Sequence, residues 1–169
     1  MLFADRALVT CLWMFALSSP VDAPWVVHPN GVGPAKVRMS LPMLNTTLHT
    51  SNARTTDPDG RDCFYVDIPG HDGLGVMVLH GKVARIDVDD SITPTARGIH
   101  NGDTEAHAVE VYGGRLSVSP HAYEPDEGHY LTIHTADGKS GIRFETEDGR
   151  ITRYYAGAIE AIALIEGCS

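Results

Sequence analysis

The sequence predicts an α+β fold in which short helices are followed by antiparallel strands. A helix-like segment, followed by strand-like runs around a glycine turn, occurs in each half of the chain, and the two copies lie about 66 residues apart. The strand-like runs are short and bounded by glycine, which is typical of hairpins. We therefore expect two tandem repeats, 31–90 and 95–169, that build one antiparallel sheet with the helices packed on one face.

The first repeat contains one predicted helix and three predicted strands. After a turn-rich lead-in, Ser40 can cap a helix over 41–48 whose leucines fall on one face. Residues 49–62 are polar and lack an apolar pattern, which predicts an exposed loop. A short strand follows at 63–66, and a hairpin over 74–88 turns at His80-Gly81.

The second repeat follows the same order. Thr104 can cap a helix over 105–112, which Gly113-Gly114 would end. Predicted strands at 116–118 and 130–134 flank a polar loop, and two more surround the turn at Asp148-Gly149. The apolar end, 158–165, fits a helix and a strand about equally. We favour a strand, because the segment leads to Cys168, which has to reach Cys63 in the first predicted strand if the two cysteines form a disulfide.

Uninterrupted pairing around each turn predicts which side chains share a face. In the first hairpin, Val78 would face Val83 and Val76 would face Arg85. In the second hairpin, the pairing would leave four side chains together on a polar face: Arg143, Glu145, Thr152 and Tyr154.

Residues 1–23 have the features of a signal peptide. An apolar run from Ala7 to Leu17 is too short to span a bilayer as a helix, and the small residues Ser18 and Ser19 follow it. A buried N-terminal helix is the alternative. We expect a protein of the periplasm or the extracellular medium, with 24–169 as a single domain and no transmembrane segment after the leader.

The cysteines predict one disulfide. Cys11 lies in the leader, so Cys63 and Cys168 form an even pair in the exported part of the chain. In an oxidising compartment this count is typical of a disulfide and not of a metal site or a nucleophile. The bridge would join the first predicted strand, 63–66, to the C-terminus.

The charge excludes one class of partner. The 169-residue chain carries a formal charge of −9, so it has no excess of cations to replace the counterions of nucleic-acid phosphates. An acidic exported chain suits a basic protein partner, although solubility alone also accounts for the charge.

The doubled pattern resembles the β-lactamase inhibitor protein fold and, more distantly, the single-repeat lipoprotein of the outer-membrane barrel-assembly machinery. The resemblance rests on 98–104 with Tyr112-Gly113, and on a weaker copy at 37–40. The ending Glu166-Gly167-Cys168 also resembles an uncharacterised family of exported bacterial proteins. Inhibitors of this fold bind with the exposed sheet face, which implies the following binding residues on this chain: Tyr130, Arg143, Glu145 and Tyr154.

The chain lacks a recognisable catalytic motif. It has no Gly-x-Ser-x-Gly elbow, and its two exported cysteines are assigned to the disulfide. Histidines and acids cluster at 121–134, but their spacing does not indicate convergence on one ion, so we expect no metal and no other cofactor. Arg85 and Arg153 hold equivalent places in the two repeats, which favours a repeated structural ion pair over an anion site.

Taken together, these features predict a non-enzymatic exported binding protein that docks on a periplasmic or extracellular protein through its exposed sheet face. An inhibitor or immunity-type protein is its sharpest form. The alternatives are an envelope factor that assists outer-membrane assembly and, less favoured, a metal-dependent or hydrolytic enzyme at 121–134.

Overall fold

The computed structural model describes residues 25–50 and 62–168. The predicted leader, 1–23, and most of the predicted loop at 49–62 lie outside the described residues. No helix in the described ranges is long and apolar enough to cross a membrane.

Seven antiparallel strands form the main sheet, which confirms the predicted antiparallel sheet. Their spatial order is β4 (Cys63–Asp67), β5 (Leu74–Leu79), β6 (Lys82–Val88), β10 (Arg150–Ala158), β9 (Ser140–Glu147), β8 (Gly128–His134) and β7 (Leu116–Pro120). A second, three-stranded sheet that the sequence did not indicate contains β1 (Val27–His28), β2 (Gly31–Val32) and β3 (Ala35–Lys36). The helices are short: α1 (Leu41–Leu48), α2 (Glu105–Tyr112) and α3 (Ile159–Ile162).

The hydrophobic core lies between the main sheet and the first two helices. Leu44 of α1 and Tyr112 of α2 join the same buried cluster as Ile86, Phe144 and Tyr154 of the sheet. Aromatic rings meet in this core, with the Phe144 ring centroid 5.8 Å from that of Tyr112 and 5.5 Å from that of Tyr154. The core side of the sheet is therefore the side that α1 and α2 cover.

Helix α3 lies on the opposite side of the sheet, so the prediction that all helices share one face is wrong for this helix. The preference for a strand at 158–165 is also wrong. Gly141 and Gly157 face each other across β9 and β10, and a Cβ at Gly141 would lie 2.9 Å from Ile162 Cδ1 and 3.1 Å from Ile159 Cδ1. The glycine pair thus makes room for two isoleucines at helical spacing.

Each of the first two helices begins against the turn of a hairpin. The Leu41 amide donates to the Gly81 carbonyl at 2.9 Å, and the Glu105 amide donates to the Gly149 carbonyl at the same distance. Just before each helix, the Arg38 amide donates to Val83 and the Gly102 amide donates to Ile151. The same bonds therefore join helix and hairpin in both halves of the chain.

Each hairpin contains a β-bulge, which changes the predicted register. In the first, Val78 faces Val83 as predicted, but Ala84 is unpaired and Val76 faces Ile86. In the second, the register shifts between Ile151 and Arg153. A bulge adds one residue to one strand, so every side chain beyond it changes face. Arg85 therefore faces Met77 and not Val76.

The predicted disulfide is present. Cys63 of β4 is bonded to Cys168, across a sequence separation of 105 residues. The bond fixes the C-terminal segment to the edge strand of the main sheet. It also indicates an oxidising compartment, since disulfides persist there.

We expect the disulfide to contribute substantially to stability. The double substitution Cys63→Ser with Cys168→Ser should lower the free energy of unfolding by about 2–5 kcal/mol, because a loop of this length is free in the unfolded reduced chain. Urea unfolding measures this change. Wild-type protein treated with a reductant should show the same loss, and an unchanged urea midpoint in both samples would contradict the prediction.

The hairpin turn at Gly149 should require glycine for its backbone angle alone. Gly149 has φ 72°, and a Cβ there would meet nothing within 4 Å. Gly149→Ala should therefore cost about 1 kcal/mol of unfolding free energy. Gly114→Ala is the matched control, because that position is equally open but lacks a positive φ. Equal thermal midpoints for the two variants would rule out this explanation.

Candidate functional site

The side of the main sheet that faces away from α1 and α2 is called the outer face below. The strand pairing places a row of polar and aromatic side chains on it, which runs from β4 to β8. In spatial order the row contains Tyr65, Arg85, Asp87, Tyr155, Glu145, Arg143 and Tyr130.

Arg85 forms the largest number of hydrogen bonds in this row, and its side chain is buried, with 2% of the residue exposed. Its Nε donates to Asp87 Oδ1 at 2.6 Å and its Nη2 donates to Asp87 Oδ2 at 2.8 Å, a bidentate pair. Nη2 also donates to the Tyr65 hydroxyl, and Nη1 donates to the carbonyls of Ala161 and Leu164. A guanidinium has five N–H donors, and these five bonds use all of them, so the buried charge is fully hydrogen-bonded.

Two tyrosines extend the network and stay protonated. The Tyr65 hydroxyl donates to Asp87 Oδ2 at 2.8 Å. Burial and the Asp87 charge raise the pKa of Tyr65 to about 12 against the opposing effect of Arg85. The Tyr155 ring lies 4.4 Å below the Arg85 guanidinium, and its hydroxyl donates to Glu145 Oε1. Burial and Glu145 raise the pKa of Tyr155 as well.

An open cleft of about 410 Å³ lies beside Arg85 and is called the acidic cleft. Among the described residues, two arginines and five carboxylates line it, so negative charges exceed positive charges by three. The arginines are Arg85 and Arg153, and the carboxylates are Asp67, Asp72, Asp87, Asp89 and Glu166. Arg153 Nη2 lies 3.1 Å from Asp89 and 3.8 Å from Asp87. Asp67 and Asp72 form no ion pair with any residue that the structure describes.

Two chain segments cover much of the remaining outer face. The C-terminal segment, 159–168, crosses it above Arg85, and the segment between β7 and β8 folds over Tyr130. The His121 ring centroid lies 4.7 Å from that of Tyr130, and the Tyr123 hydroxyl donates to Glu166 where the two segments meet. The outer face is therefore less open than the sequence predicted.

The structure separates the four binding residues that the resemblance implied. Tyr154 is 0% exposed and donates to the Thr93 carbonyl from within the core, so its expected exposure is wrong. The bulge causes this change of face. Tyr130 lies on the outer face but is 5% exposed, and Arg143 lies 5.1 Å above its ring. Glu145 and Arg143 are half-buried on the outer face, where their role in binding stays a prediction.

Arg85 and Arg153 were singled out from the sequence, but the carboxylates of the acidic cleft were missed, although the sequence holds a signal for them. Arg85, Asp87 and Asp89 alternate with apolar residues along one strand, and such alternation places all three on one face. Strand β4, which is separated from β6 by β5, carries Tyr65 and Asp67 at the same spacing.

The histidines at 121–134 have other contacts. His129 Nδ1 lies 3.0 Å from Glu105 Oε2, and the His121 ring contacts the Tyr130 ring at a tilt of 34°. Across 25–50 and 62–168, no group of three His, Cys, Asp or Glu residues is placed to hold a metal ion. Arg85 pairs with Asp87, and Arg153 lies near Asp89 and the same Asp87. Both arginines therefore have ion-pair partners, but all these partners lie in the first predicted repeat, so the pair is not repeated in the second one as the sequence predicted.

No protein-family model, curated protein or solved structure matches this chain. The resemblances named above therefore stay expectations. The function has to be inferred from the geometry and charge of the outer face.

The Tyr65 hydroxyl should titrate well above pH 10. Its pKa is raised in the folded protein, so the stability that it contributes is complete below pH 10 and is lost as pH rises towards 12. Ultraviolet difference spectroscopy should show a phenolate step near pH 12 that Tyr65→Phe removes. Tyr123→Phe is the control and should retain that step. If Tyr65→Phe instead removed a phenolate step near pH 10, the Tyr65 hydroxyl would have its ordinary pKa and the prediction would be contradicted.

Proposed function

We propose that this protein is a non-enzymatic, exported binding protein whose acidic cleft receives a basic side chain of a protein partner. The charge of the cleft carries the proposal. Three negative charges are uncompensated in this open cleft of about 410 Å³, and a lysine or arginine of a partner would neutralise part of this excess. Complementary charge directs association and fixes the orientation of the complex.

The carboxylates at the mouth of the cleft are available to a partner. Asp67 and Asp72 have no cation beside them in the described part of the chain, whereas Asp87 is already paired with Arg85. A basic side chain that enters the cleft would therefore meet Asp67 and Asp72 without displacing an existing ion pair. Such a contact has a lower cost than one that must first break a buried pair.

Apolar side chains beside the carboxylates suit a protein interface. Tyr65 and Ile165 line the cleft and are each 41% exposed. Aromatic residues and arginine are enriched in the centres of interfaces, with charged groups at the rim. The cleft has this composition, since Tyr65 and the buried Arg85 line it together with exposed carboxylates such as Asp72.

The base of the cleft is rigid before any partner binds. Arg85 is hydrogen-bonded to β6, to β4 through Tyr65 and to two carbonyls of the C-terminal segment. A preorganised surface loses less conformational entropy on association. The disulfide and the charge of −9 support an exported protein that attracts basic partners.

We also infer that the two helix–hairpin junctions are copies of one structural unit. The same amide-to-carbonyl bonds join each helix to its hairpin, and the bulges at Ala84 and Thr152 hold equivalent positions. This equivalence supports the likeness to β-lactamase inhibitor proteins. It is the reason to place an inhibitor or immunity-type role first among the binding functions.

Affinity capture with charge variants tests the docking surface. Wild-type protein, the double variant Asp67→Asn with Asp72→Asn, and a control with two exposed carboxylates neutralised elsewhere, Asp126→Asn with Glu147→Gln, would be incubated with periplasmic extract. We expect wild type and control to retain one protein that the cleft variant loses. With that partner purified, the cleft variant should bind about tenfold more weakly, mainly through slower association.

Calorimetry at low and high salt completes the test, since screening should weaken wild-type binding and affect the cleft variant less. The proposal is wrong if the cleft variant and the control variant bind the partner equally well. It is also wrong if wild type retains no protein that the cleft variant loses.

A further inference from the structure

A second cleft, of about 510 Å³, lies where the end of α2 approaches β8 and β9. Its floor is apolar and consists of Tyr112, Ile133 and Ile142, with Ala96 and Ala136 at the rim. The buried isoleucines present only a small part of their surface to this space. We call it the apolar cleft, and none of its residues lines the acidic cleft.

Among the residues that the structure describes, the charged groups that line the apolar cleft are all cationic. Arg97 and Arg115 line it together with His134, and no described carboxylate does. The whole chain has 22 acidic residues against 13 lysines and arginines, so a cleft lined by two arginines and no acid departs from the charge of the rest of the protein. The apolar cleft is thus complementary to an anion, whereas the acidic cleft is complementary to a cation.

The two arginines differ in how firmly they are held. Arg97 donates from Nη1 to the Val111 carbonyl at 3.2 Å, and its guanidinium lies 5.7 Å from the centre of the Tyr112 ring. The Arg115 side chain is exposed and forms no hydrogen bond or ion pair with any described residue. Arg97 is therefore held in place, and Arg115 can bind a ligand without breaking a contact.

Tyr112 lies in the floor of the cleft, and both arginines line the cleft with it. Its hydroxyl donates to Thr95 Oγ1 at 3.1 Å. Burial raises the pKa of this hydroxyl, while the charges of Arg97 and Arg115 oppose the rise. A ligand that lies on the Tyr112 ring would therefore bring its polar end within reach of both guanidiniums.

We propose that the apolar cleft binds a small amphiphilic carboxylate, with its hydrocarbon part on Ile133, Ile142 and Tyr112 and its carboxylate against Arg115. Small-molecule sites typically have volumes of about 300–1,000 Å³ and combine apolar walls with a few placed polar groups. Guanidinium binds carboxylate through two parallel hydrogen bonds. Apolar burial supplies affinity and the arginines supply selectivity for an anion.

Titration with three probes of equal chain length tests this inference. Octanoate, octanol and octylamine would be added to the disulfide-bonded protein and followed by calorimetry and by amide chemical shifts. Octanoate should bind saturably and at least about tenfold more tightly than octylamine, because a charge-assisted contact replaces a repulsive one. The shifts should be largest at Ile133 and Ile142. Absence of saturable octanoate binding, or equal affinity for octanoate and octylamine, would overturn the inference.

Three variants locate the site. Arg115→Glu should weaken octanoate binding about tenfold, whereas Lys82→Glu, an equal charge change at an exposed position outside the cleft, should leave it within about twofold. Ala136→Trp should block the cleft and abolish binding. Because each altered residue is exposed, each variant should keep the wild-type urea midpoint. If Arg115→Glu and Lys82→Glu bind octanoate equally, or if Ala136→Trp binds like wild type, the ligand does not occupy this cleft.

Discussion

The buried guanidinium of Arg85, which forms a bidentate pair with Asp87, joins parts of the chain that are far apart in sequence. Through Arg85, strand β6 is bonded to Tyr65 of β4 and to the carbonyls of Ala161 and Leu164. A buried guanidinium is tolerated only when its charge and its donors are matched, and here the partners come from three separate segments. Two glycines leave the space that this requires. A Cβ at Gly157 would lie 2.8 Å from the Arg85 Cα, and a Cβ at Gly167 would lie 2.4 Å from the Tyr65 hydroxyl oxygen.

The charge of the acidic cleft is a consequence of the same pair. Because Asp87 is neutralised by Arg85, and Arg153 lies closest to Asp89, the uncompensated charge falls on the carboxylates at the mouth. The disulfide acts on the same segment as Arg85, since Cys168 follows the carbonyls that Arg85 binds. Covalent and polar contacts thus hold the C-terminal segment at both of its ends, and this segment forms one wall of the cleft. Stability and the shape of the proposed binding surface are therefore coupled.

Local sequence signals predicted the local features of the fold. Gly81 and Gly149 marked the two hairpin turns, and both have the positive φ that such turns require. The count of cysteines predicted the disulfide in the same way. The features that were missed depend on contacts between distant segments. Helix α3 and a strand were equally compatible with a short apolar run, and the packing of two isoleucines against Gly141 decides between them. Predicting the acidic cleft would have required the register of four strands, β4, β5, β6 and β10, and a single bulge residue changes that register.

The two bulges follow from the spacing of the apolar residues, although no single residue type marks them. Val83 and Ile86 are both buried in the core, as are Ile151 and Tyr154, yet each pair is three positions apart. A regular strand returns to the same face every second residue, so both members of each pair can reach the core only if one extra residue lies between them. Without a bulge, Arg153 would take the place of Tyr154 beside Phe144, and a charge without partners would enter the core. The bulge avoids this cost and directs both Arg85 and Arg153 to the outer face. The composition of the core thus determines where the charges of the proposed binding surface lie.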